Sequence, residues 1–149
     1  MKSPTLSAQI LPSIDAVSEA AWDAHLPQVS HPFLSWRFLH ALEASGSAAA
    51  ETGWTPCHIW VTDAAGTAVG AAPLYAKTHS QGEYVFDHGW ADALSRAGMD
   101  YYPKLQCSVP FTPATGPRLL SITHEGKAAT LSAIMSLTER EGFSSAHMT

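Results

Sequence analysis

Residues 58–77, HIWVTDAAGTAVGAAPLYAK, carry the clearest supersecondary signal of the chain. The first five of these residues are β-rich, and residues 67–77 form a second β-rich run. Between the two runs lies a four-residue turn that ends in Gly66, a residue type that tolerates the positive φ of such turns. The pattern predicts an antiparallel hairpin. Gly70 and Pro73 interrupt the second run and predict a bulge or a sheet edge there.

Upstream of the hairpin, the sequence predicts an edge strand and two helices. Residues 6–14 alternate weakly and contain a proline, which favours a short edge strand. Ser18 and Ser35 are predicted helix N-caps, because a serine hydroxyl can accept a hydrogen bond from an N–H group of the first turn. The second helix has a predicted apolar stripe of three residues: Phe38, Leu39 and Leu42.

Downstream, the sequence predicts a short helix, two strands, a long helix and a closing strand. These elements are expected over residues 91–97, 105–111, 118–122, 125–141 and 143–149. Thr123 is the predicted cap of the long helix. The apolar stripe of that helix is expected to comprise three residues: Leu131, Ile134 and Met135.

This order of elements predicts a mixed α/β (α+β) domain, in which helices flank a mixed sheet and the long helix covers one sheet face. The chain has 149 residues without repeats or a linker, so a single domain is expected over residues 1–149. A sheet seldom ends on a strand without trailing residues, because the last pairing then frays. The sequence therefore predicts an incomplete fold, a fragment of a longer protein.

The composition argues against several functional classes. Hydrophobic residues make up 46% of the chain and charged residues 14%, which suits a packed core and not a disordered chain. The net charge of -5, with Lys and Arg scattered, disfavours binding to a nucleic-acid duplex. Neither the histidines nor the two cysteines have metal-site spacing, so no metal is expected. The N-terminus lacks the apolar region of a signal peptide, and no window suits a membrane span. We therefore expect a soluble, cytoplasmic protein.

The segment GEYVFDHGWAD, residues 82–92, is the densest group of chemically useful side chains. Polar groups packed among aromatic residues in a glycine-bounded loop are typical of ligand sites. Glu83, Asp87 and His88 are the candidate general bases. The alternative is that Asp87 or Asp92 caps the short helix while the aromatic residues pack beneath it.

The loop FTPATGPR, residues 111–118, is held stiff by two prolines and a glycine. Thr112, Thr115 and Arg118 offer hydroxyl and guanidinium donors that can hold a carboxylate or a phosphate. The structural alternative is an ion pair between Arg118 and one of the acidic residues of the preceding segment.

Three strings, GEYVFDHGWADA (82–93), YYPKLQ (101–106) and PFTPATGPRLL (110–120), resemble the FemAB-like family of GNAT-superfamily N-acyltransferases. Upstream, HPFLSWRFLHALEASGS (31–47) and ETGWTPCHIWV (51–61) are similar to the opening of the same family. The resemblance covers nearly the whole chain. It implies a tandem GNAT-like fold, of which this chain supplies most of the first half.

This resemblance also draws attention to the start of the long helix, where GNAT enzymes bind the pyrophosphate of acyl-CoA. Gly126 and Ala128 fit their motif and are the candidate cofactor-binding residues. Thr123 stands where the motif has a basic or amide residue, and Glu125 would repel a diphosphate. An ordinary capped helix start is the alternative.

The activity implied by the resemblance is transfer of an acyl or aminoacyl group to an amine, in some relatives during cell-wall peptide synthesis. An acyl-CoA or aminoacyl donor would be a co-substrate, without a tightly bound cofactor. The missing second half would be a partner, and the isolated chain is expected to be inactive. A non-catalytic module that recognises a peptide or glycan is the alternative function. Besides the candidate bases, the implied substrate-binding residues are Trp90, Tyr102, Lys104, Thr112, Thr115 and Arg118.

Overall fold

The computed structural model describes residues 5–27 and 31–149; residues 1–4, the start of the segment tested for a signal peptide, and residues 28–30 lie outside that description. The strands are β1 (Ser7–Leu11), β2 (Trp54–Pro56), β3 (His58–Thr62), β4 (Ala68–Ala72), β5 (Leu74–Lys77), β6 (Lys104–Cys107) and β7 (Ala146–Met148). The helices are α1 (Glu19–Asp23), α2 (Trp36–Ala44), α3 (His88–Arg96) and α4 (His124–Glu141). The predicted mixed α/β class is confirmed.

The first sheet contains the predicted hairpin and has the strand order β1-β3-β4. Both pairings are antiparallel, and Gly66 has the positive φ that its turn requires, at 83°. Val61 pairs with Gly70 whereas Thr62 pairs with Ala68, so Val69 is the extra residue of a bulge. The predicted hairpin, the irregularity at Gly70 and the edge strand β1 are all confirmed.

Pro73 separates two sheets where the sequence predicted one. A proline has no N–H to donate to a ladder, and the run of residues 67–77 divides there into β4 and β5. Strand β5 then joins a second sheet of order β2-β5-β6-β7, in which the pairing of β6 with β7 is parallel. The prediction of a single mixed sheet is wrong for this reason.

Helix α4 covers both sheets through one shared core. Ile134 and Leu137 pack in a single buried cluster with residues of β3, β4, β5 and β6. The predicted stripe of α4 is correct only at Ile134, because Leu131 and Met135 are 42% and 56% exposed. The buried residues on α4 are instead Gly126, Thr130, Ile134 and Leu137.

Three predicted caps are confirmed, because the hydroxyl groups of Ser18, Ser35 and Thr123 each accept an N–H bond at a helix start. Other elements differ from the predictions: the strand expected over residues 105–111 ends at Cys107, and the strand expected over 143–149 is limited to Ala146–Met148. Helix α3 begins at residue 88 instead of 91, strand β2 was not predicted, and residues 118–122 form only an isolated bridge from Leu120 to Ala71.

Over the described ranges, no helix combines the length and apolarity needed to cross a membrane.

The second sheet has an apolar face and a polar face. Leu74 and Leu105 point into the core beneath α4. On the opposite face, successive pairs across β5 and β6 are Tyr75 with Gln106 and Lys77 with Lys104. Such a row normally faces solvent, yet all four of these polar side chains are fully buried. Residues 80–87, the covering segment, cover the two lysines of this row, Lys77 and Lys104, and this placement forms the candidate site.

Candidate functional site

An ion network lies between the polar face of the second sheet and the covering segment. Lys104 Nζ donates to Glu83 Oε2 at 2.8 Å and to Asp87 Oδ2 at 2.7 Å. Strand β6 positions the lysine, and residues 80–87 position both acids. All three side chains are buried, so the interaction is screened little by water.

Asp87 is held in its ionised form by three donors. Besides Lys104, the hydroxyl groups of Ser80 and Tyr101 each donate to Asp87 Oδ2 at 2.8 Å. Burial alone would raise the pKa of Asp87, but these hydrogen bonds outweigh it and lower the pKa to about 2. Although Asp87 precedes α3, its side chain makes no capping bond, so the alternative that it caps the helix is wrong.

Glu83 differs from Asp87, because burial dominates its titration. Its pKa is raised by burial, although Lys104 acts in the opposite direction. A second lysine, Lys77, lies 4.0 Å from Glu83 Oε1 and donates to the Gln81 carbonyl at 3.1 Å. Burial lowers the Lys77 pKa to about 8, and its ammonium sits 3.6 Å from the ring centroid of Trp54.

A cavity of about 300 Å³ joins the two segments that the sequence singled out. Its wall includes Glu83 from the covering segment and Thr112, Thr115 and Arg118 from the proline-rich loop. The Arg118 Nε donates to the Thr149 carbonyl at 2.6 Å, and an Nη donates to the Ala114 carbonyl at 2.8 Å.

The alternative that Arg118 pairs with an acid of the covering segment is wrong. In the described part of the chain, the carboxylates of Glu83 and Asp87 pair with lysines instead. Arg118 therefore remains available to face the cavity that it lines.

Comparison with family models aligns residues 13–149 with the FemAB-like family, described as peptidoglycan biosynthesis/recognition. This chain belongs to the FemAB-like family. The resemblance seen in its sequence strings is thereby confirmed at the family level, and a peptidoglycan-related role follows for the chain. Comparisons with curated proteins and with solved structures found no significant match.

Several predicted site residues of this FemAB-like chain do not line the 300 Å³ cavity, among them Asp87, His88 and Trp90. His88 begins α3 and is exposed, and Trp90, on the same helix, is 69% exposed. Trp90 lines a separate cavity of about 450 Å³ together with Phe86 and Tyr101.

Lys104 is buried and Tyr102 is half-buried, and neither lines the 300 Å³ cavity. The Tyr102 hydroxyl is hydrogen-bonded to Ser80 at 2.6 Å. The Lys104 ammonium is engaged by two carboxylates. In this structure both residues position the covering segment.

Gly126 has a packing reason to be a glycine. A Cβ at this position would lie 2.2 Å from the Val69 carbonyl oxygen, so α4 approaches β4 too closely for a side chain. The N–H of Gly126 already donates to the Thr123 hydroxyl at 3.0 Å. Ala128 is exposed. The start of α4 is therefore capped by Thr123, and the N–H of Gly126 is already paired.

The sequence reasoning missed five residues of the buried polar layer: Tyr75, Lys77, Ser80, Tyr101 and Gln106. Three of them, Tyr75, Lys77 and Gln106, could have been found from the sequence. Residues 74–77 (LYAK) and 104–108 (KLQCS) have a polar residue at every second position. Ser108 continues this alternation after β6 and lines the 300 Å³ cavity.

Across residues 5–27 and 31–149, no three His, Cys, Asp or Glu side chains cluster in a way that could hold a metal ion.

Proposed function

We propose that this FemAB-like chain is part of an N-acyltransferase and binds the acceptor of the acyl group. The acceptor is an amine of a peptidoglycan-related molecule. The family and its description support the class of substrate. The observation that carries the proposal is the cavity of about 300 Å³, because it brings Glu83 together with Thr112, Thr115 and Arg118. A cleft with few polar groups and a carboxyl of raised pKa is the usual form of a reaction site.

The reaction requires a neutral amine. Its nitrogen attacks the acyl carbonyl of an acyl-CoA or aminoacyl donor, a C–N bond forms, and the bond from the carbonyl carbon to the leaving sulfur or oxygen breaks. The proton lost by the amine passes to a base, and the leaving group takes up a proton. Among the candidate bases, Glu83 suits this role better than Asp87, because its raised pKa makes it the stronger proton acceptor.

A recognition module without catalysis is the second candidate function. The observation that favours it is the burial of both carboxylates, each of which is paired with Lys104. Such a network stabilises the shape of a binding cleft without any proton transfer. In this case the chain would present a peptide or glycan to a catalytic partner domain.

Transfer is tested with the protein encoded by the complete reading frame, a muropeptide acceptor, and labelled acyl-CoA or aminoacyl donors. We expect Glu83→Gln to lower the transfer rate by about 100-fold or more, the usual range for loss of a general base. Glu51→Gln, on an exposed glutamate, is the matched control and leaves the rate unchanged. Circular dichroism establishes that both variants fold.

Full activity of a folded Glu83→Gln variant would remove this residue as the base. Calorimetry separates the two functions, because a recognition module binds muropeptide tightly, shows no turnover with any donor and has no affinity for acyl-CoA.

A further inference from the structure

We propose that the cavity of about 450 Å³ beside α3 binds a trimethylammonium group, the cationic end of a small solute or of a lipid headgroup. This site is separate from the reaction site proposed above, because the walls of the two cavities share only Val85. Its ligand is also distinct from the acceptor of that reaction. A quaternary nitrogen has no lone pair and no N–H, so it cannot take up an acyl group.

The first observation is a group of aromatic rings around one cavity. Its wall contains Phe86, Trp90, Tyr101 and His147. Phe86 and Trp90 are 95% and 69% exposed, so most of their ring surface is free to meet a ligand. Exposed apolar side chains grouped around a cavity are typical of binding surfaces. The face of an aromatic ring carries negative charge density and attracts a cation.

The second observation is a carboxylate oxygen without a partner in the same wall. Asp87 is 4% exposed and lines the cavity. The hydrogen bonds that hold its charge all go to Oδ2, whereas Oδ1 is buried without a hydrogen bond in the described part of the chain. Buried polar atoms nearly always have partners, so this oxygen marks a place for positive charge. Lys104 contacts Oδ2 and does not belong to the cavity wall.

The lining favours a methylated ammonium over a primary one. A primary ammonium has three N–H donors and is strongly hydrated, so it needs several acceptors. Two hydroxyl groups of the lining are already engaged: Ser144 donates to the Tyr101 carbonyl, and Ser145 is bonded to His147 Nε2 at 2.8 Å. A trimethylammonium group has no N–H donor, and its methyl groups can pack directly against aromatic rings.

The charges around the cavity also suit a cation. Asp87 is the single acidic side chain among the lining residues, and no Lys or Arg is among them. Burial lowers the pKa of His147, so its ring is neutral at pH 7 and does not repel a cation. A phosphate or carboxylate ligand would instead be repelled by Asp87.

The test is calorimetric titration of the protein with choline and with its uncharged carbon analogue, in which a tert-butyl group replaces the trimethylammonium group. We expect choline to bind about tenfold more tightly, the effect of a cation held against aromatic rings away from water. Ethanolamine, which has a primary ammonium on the same chain, is expected to bind more weakly than choline. Phosphatidylcholine vesicles are a further arm. Binding to them as well as to choline assigns the lipid headgroup, and binding to choline alone assigns the free solute; both outcomes support the site.

Substitutions of the two exposed rings locate the effect. Trp90→Leu and Phe86→Leu remove a ring but keep an apolar side chain, so each is expected to lower the affinity for choline about 3- to 30-fold and to reduce its advantage over the analogue. Phe33→Leu is the matched control. It changes a ring that is also partly exposed but lies outside the wall of this cavity, and it keeps the preference for choline.

Asp87→Asn tests the carboxylate and is expected to weaken binding of choline without affecting the analogue. Because Asp87 also holds the covering segment, circular dichroism of this variant comes first. If it does not fold, the two ring variants decide the test, since both of their side chains are exposed.

Equal affinity for choline and the uncharged analogue would overturn the inference, as would tighter binding of ethanolamine than of choline. An unchanged preference for choline in both Trp90→Leu and Phe86→Leu would also contradict it. The titrations contain neither an acyl donor nor a muropeptide, so their outcome is independent of the proposed transfer.

Discussion

Lys104 is the residue that allows a polar sheet face to be buried. Removal of Glu83 and Asp87 from water is unfavourable by several kcal/mol for each ion, and this penalty is offset only by close partners. Lys104 supplies one partner to both, at 2.8 Å and 2.7 Å. The covering segment is therefore attached to the sheet through this ammonium group, and the shape of the cavity depends on it.

The titration of Asp87 predicts loss of stability in acid. Its folded pKa of about 2 lies below the ordinary value of 3.8, so its contribution is complete above about pH 4 and is lost as pH falls to about 2. The difference corresponds to about 2 kcal/mol of unfolding free energy. Urea unfolding between pH 5 and pH 2 measures it, and Asp87→Asn is expected to flatten this limb.

Glu83 has the opposite effect on the pH dependence of stability, because its pKa is raised in the folded protein whereas that of Asp87 is lowered. Stability from a raised carboxyl pKa is lost as pH increases through the folded value. An acid limb of equal slope in the protein and in Asp87→Asn would show that the carboxylate of Asp87 is not stabilised as described.

Individual site residues were predictable from their chemical type, but their partners were not. The sequence selected Glu83, Asp87, Lys104 and Arg118. It did not indicate that the first three pair with one another. Alternating polar residues on a strand usually indicate a solvent face, and the tertiary placement of residues 80–87 over Lys77 and Lys104 buries that part of the face.

Among the elements, the contact between α4 and β4 depends on two glycines. A Cβ at Gly126 would lie 2.2 Å from a strand carbonyl, and one at Gly70 would lie 2.5 Å from the Thr130 hydroxyl. Gly126→Ala is expected to lower the unfolding free energy by about 1–3 kcal/mol, because the helix must move away from the strand. Thermal and urea unfolding measure the change.

Gly89→Ala is the matched control for this prediction. Gly89 lies in the first turn of α3, and a Cβ there meets no atom within 4 Å. Alanine is the better helix former by about 0.5–1 kcal/mol, so this variant is expected to be as stable as the parent or slightly more so. Equal destabilisation at both positions would argue against the close approach of α4.

Element positions followed from the sequence where local chemistry determines them. The caps at Ser18, Ser35 and Thr123 are examples, because each hydroxyl bonds within its own turn. Residues 118–122 do not form a strand, because only Leu120 pairs with β4, through the single bridge to Ala71. The stripe of α4 was misplaced because the polar Thr130 is buried by bonding to the Gly126 carbonyl at 2.8 Å.

At the scale of the whole molecule, the two sheets are expected to unfold together, because α4 packs on both in one core. Ile134→Ala removes a side chain at the centre of that core and is expected to lower stability by about 2–5 kcal/mol. Hydrogen exchange measures the effect on the amide protons of β3, in the first sheet, and β6, in the second. Their protection is expected to fall by the same factor.

Leu131→Ala is the control on the same helix. This side chain is largely exposed, so the change is expected to fall within about 0.5 kcal/mol. Loss of protection in one sheet alone after Ile134→Ala would show that the sheets are separate cooperative units.

The ion network of Lys77, Lys104, Glu83 and Asp87 is formally neutral, and neutrality of this kind makes the four positions interdependent. A substitution that removes one charge leaves an ion without its counterpart, whereas loss of an opposite pair keeps the balance. In evolution, lysines and acids at these positions are expected to be exchanged jointly, so sequence drift should show covariation here. Protein engineers who want an uncharged version would have to change both members of a pair at once.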